Sequence, residues 1–135
     1  MTTTRRSKKM EKPRVLIADD DPAFTRALTL RLQNEGYKVI ASFDGYNALA
    51  RTVEGKPDVL VLDIHMPAGD GFTVQDRIAK MPELADVPVI YVTGDTSENT
   101  FRAAKAAGAL AIVHKPLEIE ELIQEIERAL GRRAA

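Results

Sequence analysis

Five positions in this chain carry side chains able to do chemistry together. The stretch VLIADDDP, Val15 to Pro22, runs from apolar residues straight into Asp19, Asp20 and Asp21. DVLVLD, residues 58–63, ends another apolar run in Asp63. VPVIYVT ends in Thr93, and LAIVH is followed by Lys115 and Pro116. Carboxylates gathered in one cleft repel one another and call for a cation. An oxygen-only ligand set selects a hard ion, and Mg²⁺ fits best because it takes one or two carboxylates, keeps waters and accepts a phosphoryl oxygen. An ammonium and a hydroxyl added to that set stabilise charge on a transferring phosphoryl group. Asp63 is then a plausible nucleophile, giving an aspartyl phosphate.

Such residues need elements that bring them to one place, and the chain alternates in a way that does so. The β-rich runs 14–18, 37–41, 58–63, 87–93 and 110–114 alternate with helical patterns over 22–36, 44–55, 71–81, 96–108 and 116–131. Phe24, Leu28 and Leu32 form a stripe in the first helix, with Pro22 in its opening turn and Gly36 past its end. Ile119, Leu122, Ile123, Ile126 and Leu130 form the stripe of the last. Gly55 and Pro57 are read as breaking the second helix, and Asp95 with Glu98 has capping-box spacing, with other work for Asp95 left open. Pro88 belongs near the start of its strand. Five βα units imply a parallel sheet with helices on both faces, and a ligand site beyond the carboxyl ends of the strands. Four of the five strand ends carry the polar groups named above. The acids of VLIADDDP lie at that rim.

Composition removes other chemistries. The 135 residues suit one ordinary domain, 44% of them are hydrophobic, and the net charge is −1, so no global charge favours nucleic acid or a membrane. The absence of cysteine excludes disulfides, thiolate catalysis and Cys-ligated zinc. No apolar stretch approaches the ~20 residues of a membrane span. The start, MTTTRRSKKMEKP, is basic but precedes no apolar secretory segment. A cytoplasmic protein is expected, with residues 1–12 as a disordered basic tail and 13–133 as one domain. No DNA-reading module follows the last helix, so direct DNA binding is not expected.

Together, VLIADDDP, VLVLDIHMPAGDGF, VIYVTGDT and VHKPLE resemble the receiver domain of two-component response regulators, over roughly residues 13 to 131. The spacing agrees: Thr93 lies 30 positions after Asp63, and Lys115 lies 22 after Thr93. The resemblance implies a flavodoxin-like (βα)5 α/β fold, a doubly wound five-stranded parallel sheet of order 2-1-3-4-5. It implies Asp63 as phosphoacceptor. Asp19 and Asp20 correspond to the Mg²⁺-holding acidic pair, Asp20 the more direct ligand, and the His65 backbone carbonyl to a third protein ligand. Thr93 corresponds to the hydroxyl that turns toward the phosphoryl group, and Lys115 to the lysine that pairs with the phosphorylated site. It also implies a cis Lys115–Pro116 bond and turn roles for Pro67 and Gly71. The partners implied are a sensor histidine kinase or histidine phosphotransfer protein upstream and an unidentified protein target downstream. Many receivers carry Tyr or Phe three residues before the lysine. Here Ile112 takes that place, so the aromatic half of the switch is missing.

Other residues have plainer readings. Asp21 is read as a helix cap, the His65 side chain as lining the mouth of the site, and His114 as a strand-end residue. Tyr46 and Tyr91 are read as packing residues, and Ile112 as core. Three alternative functions compete with a phosphorylated regulator: a receiver fragment of a larger regulator or hybrid kinase, an aspartyl-phosphate phosphatase, and a scaffold that has lost phosphorylation. Phosphatases of that kind usually place a second Asp two residues after the nucleophile, where this chain has His65, and no cap insertion encloses a substrate.

Overall fold

The computed structural model describes residues 12–131. The expectation of a disordered tail over residues 1–12 lies outside the described residues, Lys12 excepted. In chain order the elements are β1 (Arg14–Ala18), α1 (Pro22–Asn34), β2 (Lys38–Ser42), α2 (Gly45–Gly55), β3 (Val59–Asp63), α3 (Gly71–Ala79), β4 (Val89–Thr93), α4 (Glu98–Ala106), β5 (Ala111–His114) and α5 (Ile119–Ala129). The sheet is parallel throughout with strand order β2-β1-β3-β4-β5. The predicted α/β architecture is the observed one.

The sequence pattern explains the layering. β3 and β4 are buried at every position, as continuous apolar runs require when helices cover both faces. Side chains alternate across the sheet. Val15, Ile17, Val61, Ile90 and Val92 therefore join Leu28, Leu32, Leu122 and Ile126 in one core. Leu16, Leu60, Leu62 and Tyr91 join Ala48, Val74, Ile78 and Ala104 in the other.

Local chemistry sets the helix starts. Asp21, Asp44 and Asp70 each cap a helix by accepting backbone N–H groups of the first turn, as predicted for Asp21. Pro88 directly precedes β4, and its carbonyl accepts from Leu60 N at 3.0 Å.

Three expectations need correction. Asp95 does not cap α4. Ser97 does, through Thr100 N, because Asp95 is drawn into contacts at the site described below. α2 ends at Gly55, as expected, and Lys56 takes the left-handed cap at φ +49. A Cβ at residue 55 would lie 2.5 Å from Ile40 Cδ1, a terminal methyl that would have to shift to admit it. Tyr46 is not a packing residue: it is 78% exposed on the outer side of α2. α5 starts only at Ile119, with Glu118 at its cap, so Pro116 belongs to the preceding loop. Ile112 is half-buried against the second core, and His114 is exposed.

Candidate active site

The parallel ladder builds the site by ending four neighbouring strands at one rim. β1 ends at Ala18, and Asp19 N continues the ladder by donating to Ser42 O at 3.1 Å. Asp63 is the last residue of β3 and is in register with Val92 of β4, one residue before Thr93. Lys115 follows β5, and its N–H donates to Thr93 O at 2.8 Å. The Lys115–Pro116 bond is cis, as the resemblance implied.

The side chains converge as predicted. Asp19, Asp20 and Asp63 each offer a carboxylate oxygen, and the three lie within 4.8 Å of one another. Asp19 and Asp63 are buried, whereas Asp20 is exposed. Lys115 Nζ lies 2.9 Å from Asp19 Oδ2 and 3.6 Å from Asp63 Oδ2. It also stands 5.2 Å from the centre of the Phe24 ring, whose face favours a cation. Asp21 is turned away onto its cap, though its N–H donates to Asp19 Oδ1 at 2.9 Å and holds that carboxylate in place.

Electrostatics follow from this geometry. Burial pushes the Asp63 carboxyl up to about 6. The Asp19 charge pushes the same way, and Lys115 and the His65 N–H, 3.2 Å from Oδ1, oppose it only in part. Burial works against the charge of Lys115, but the carboxylates of Asp19 and Asp63 outweigh it and hold the ammonium above its ordinary range. A single lysine thus leaves the three acids undercompensated. Asp19 Oδ2 is buried with no aligned hydrogen bond, although Lys115 is close by. An oxygen-only cluster of three carboxylates beside one ammonium fits a small hard cation.

Glycine makes the rim possible at one point. A Cβ on Gly71 would fall 2.7 Å from the Asp63 carbonyl oxygen, and Gly71 N donates to Ile64 O at 2.9 Å. The turn after Asp63 can close only because residue 71 has no side chain. Beneath it, Tyr91 donates its hydroxyl hydrogen to Gln75 Oε1, and the same hydroxyl lies 3.3 Å from Gly71 O.

Sequence reasoning missed a second shell of polar contacts. The His65 ring lines the mouth as predicted, but its Nε2 lies 3.1 Å from Asp95 Oδ2. Asp95 also accepts from Ser97 N at 2.8 Å and Thr100 Oγ1 at 2.7 Å. These hydrogen bonds, that of Ser97 N foremost, hold the Asp95 carboxyl well below the usual carboxylate range. Asp95 N in turn donates to Thr93 Oγ1 at 2.9 Å. Thr93 is buried, and among the described residues its hydroxyl donates to nothing. The loops after β3 and β4 are thereby joined through residues 65, 95 and 100. Asp95 and His65 each follow a site residue by two positions. That regularity was visible in the sequence, but the contact was not.

Comparison with known proteins bears on the fold and the family. Residues 15–127 match the response regulator receiver domain family. The chain is 36% identical over 121 residues to the DNA-binding dual master transcriptional regulator RpaA of Synechocystis, covering 90% of this chain and 50% of RpaA. It is 34% identical over 118 residues to PilH of Pseudomonas aeruginosa, covering 87% of this chain and 98% of PilH. The chain thus spans about half the length of several relatives, RpaA and the mycobacterial PrrA proteins among them. The structure of chemotaxis response regulator CheY4 of Vibrio cholerae superposes with a TM-score of 0.83 at 29% identity, over 89% of this chain and all of CheY4. Among the described residues no helix is long and apolar enough to cross a membrane. With its alternating sheet, its acidic rim and this family match over most of its length, the chain belongs to the response regulator receiver domain family of two-component signal transduction.

Proposed function

We propose that this protein accepts a phosphoryl group on Asp63 from the phosphohistidine of a sensor histidine kinase or histidine phosphotransfer protein, in a Mg²⁺-dependent reaction. The observation that carries this reading is the convergence of Asp19, Asp20 and Asp63 within 4.8 Å beside Lys115 Nζ. An Asp63 carboxylate oxygen attacks phosphorus as the P–N bond to the donor imidazole breaks, and the imidazole keeps the bonding electron pair. Asp19, Asp20 and the His65 carbonyl, with Asp63 itself, would hold Mg²⁺, which when bound supplies charge neutralisation for the attacking and transferring oxygens. Lys115, now closer to Asp19 than to Asp63, shifts toward the new phosphoryl oxygens. Thr93 gives them its free hydroxyl hydrogen. That turn breaks the hydrogen bond from Asp95 N and so changes the loop before α4. The chain signals by the altered protein binding that results, and its chemistry is confined to phosphorylation and dephosphorylation of its own Asp63.

The test is incubation of the purified chain with Mg²⁺ and acetyl phosphate, followed by intact mass. A single Mg²⁺-dependent phosphoryl adduct, absent in Asp63→Asn, is expected. An adduct retained by Asp63→Asn puts the acceptor elsewhere, and none in the Mg²⁺-bound wild type removes the reading for small donors.

A further inference from the structure

The sheet has two edge strands, β2 and β5. At β2 the hydrogen bonds decide which backbone groups face outward. Lys38 N donates to Pro13 O at 2.9 Å, and Ser42 O accepts from Asp19 N at 3.1 Å. Residues 38, 40 and 42 therefore face β1, and the N–H and C=O groups of Val39 and Ala41 point away from the sheet. Among the described residues neither makes a backbone hydrogen bond beyond the strand. The pairing with β1 is unbroken from Arg14↔Lys38 to Ala18↔Ser42, so no bulge twists this edge away, and no proline interrupts it. Such an edge can receive a further strand.

A groove of about 730 Å³ opens at the start of this edge, beside residues 37–40. Lys12, Arg14 and Lys38 line it against a single carboxylate, Glu54, with Gln33 and Val39 beside them. Arg14 is used within the protein: its Nη1 donates to Gly55 O at 3.0 Å and closes the end of α2. Lys12 and Lys38 are exposed, and neither forms an ion pair among the described residues. The groove lies at the opposite end of β1 from Asp19, five strand residues away or about 17 Å, so it is no part of the acidic site.

We propose that this edge docks an extended acidic segment of a partner protein. The segment adds a strand beside Val39–Ala41, exchanging backbone hydrogen bonds, with its carboxylates over Lys12 and Lys38. Charge complementarity selects this occupant. A second copy of this edge, with the sequence KVIAS, carries no carboxylate to set over Lys12 and Lys38, so it is disfavoured as the occupant.

The test uses the full chain and a fluorescein-labelled decapeptide of alternating Glu and Val, followed by anisotropy at low and high salt. Three comparisons accompany it: a Lys/Val peptide of equal length, the Glu/Val peptide N-methylated at alternate amides, and a ten-nucleotide single-stranded DNA. The expected result is at least tenfold weaker binding of the Lys/Val and N-methylated peptides, and at least tenfold loss in Lys12→Glu/Lys38→Glu. The N-methylated probe tests backbone pairing without altering the protein, so it carries no folding risk. Equal binding of the N-methylated peptide would reduce the effect to charge alone and overturn strand addition. Failure of the Glu/Val peptide to bind, insensitivity to the Lys12/Lys38 exchange, or tighter binding of the DNA than of the peptide would each overturn the proposal.

Discussion

Replacing Asp63 by Asn should stabilise the metal-free protein at neutral pH, even though it removes the proposed phosphoacceptor. Burial and the Asp19 charge raise Asp63 from an ordinary 3.8 to about 6. At 1.36 kcal/mol per pKa unit, keeping that carboxylate ionised in the fold costs about 3 kcal/mol above pH 6. Asn keeps the shape and can still accept from His65 N, but it gives up the attraction to Lys115 and buries its own amide. The net gain expected at pH 7 is therefore about 1–3 kcal/mol. Because the folded-state pKa is raised, the native state holds more protons than the unfolded chain between pH 4 and 6. Wild-type stability thus rises, from this group, as pH falls through 6 toward 4. Asp63→Asn lacks that gain, so its advantage shrinks over the same window and is gone below about pH 3.8. Urea unfolding in EDTA at half-unit pH steps from 4 to 7.5, with equal m-values required of both proteins, measures this difference. An Asn variant that is no more stable at pH 7, or whose advantage stays constant down to pH 4.5, refutes the assignment of net repulsion at this site.

Lys115→Ala should leave Mg²⁺ affinity unchanged or tighter, because the ammonium competes with metal for Asp19 at 2.9 Å. Calorimetric titration showing a tenfold weaker site would contradict the role given to this lysine. The same variant should move the Asp63 carboxyl above its present value of about 6, since Lys115 is a charge that lowers it. A carbon-13 carboxyl titration reads that directly. Gly71→Ala forces a Cβ within 2.7 Å of the Asp63 carbonyl and should cost about 1–3 kcal/mol in thermal or urea unfolding. Tyr91→Phe removes the donor to buried Gln75 and should cost about 1–2 kcal/mol, with Gln75→Leu in the Phe background recovering part of the loss.

Much of this protein was decided one segment at a time, and those parts were legible. Apolar runs of five residues ending in an acid or hydroxyl can be strands buried on both faces, and the stripes between them can only be helices covering that sheet. Asp19, Asp20, Asp63, Thr93 and Lys115 then reach one rim because parallel strands all present the same end. Asp21 could be read as a cap because a cap is a contact with its own neighbours.

What the sequence could not decide were contacts between residues far apart in the chain. Gly55 ends α2 as the sequence suggests, yet the left-handed turn falls on Lys56 and not on the glycine. Tyr46 reads as a packing residue and is 78% exposed, because an aromatic's identity does not say which side of α2 meets the sheet. Asp95 has the spacing of a cap but binds His65, 30 positions earlier. Lys115 is predictable as a cation at the rim, but only the packed strands determine that it rests 2.9 Å from Asp19 and 3.6 Å from Asp63. Local pattern and capping are encoded within a few residues and can be read directly. Distances between loops depend on how the whole sheet twists and packs, and only the tertiary structure supplies them.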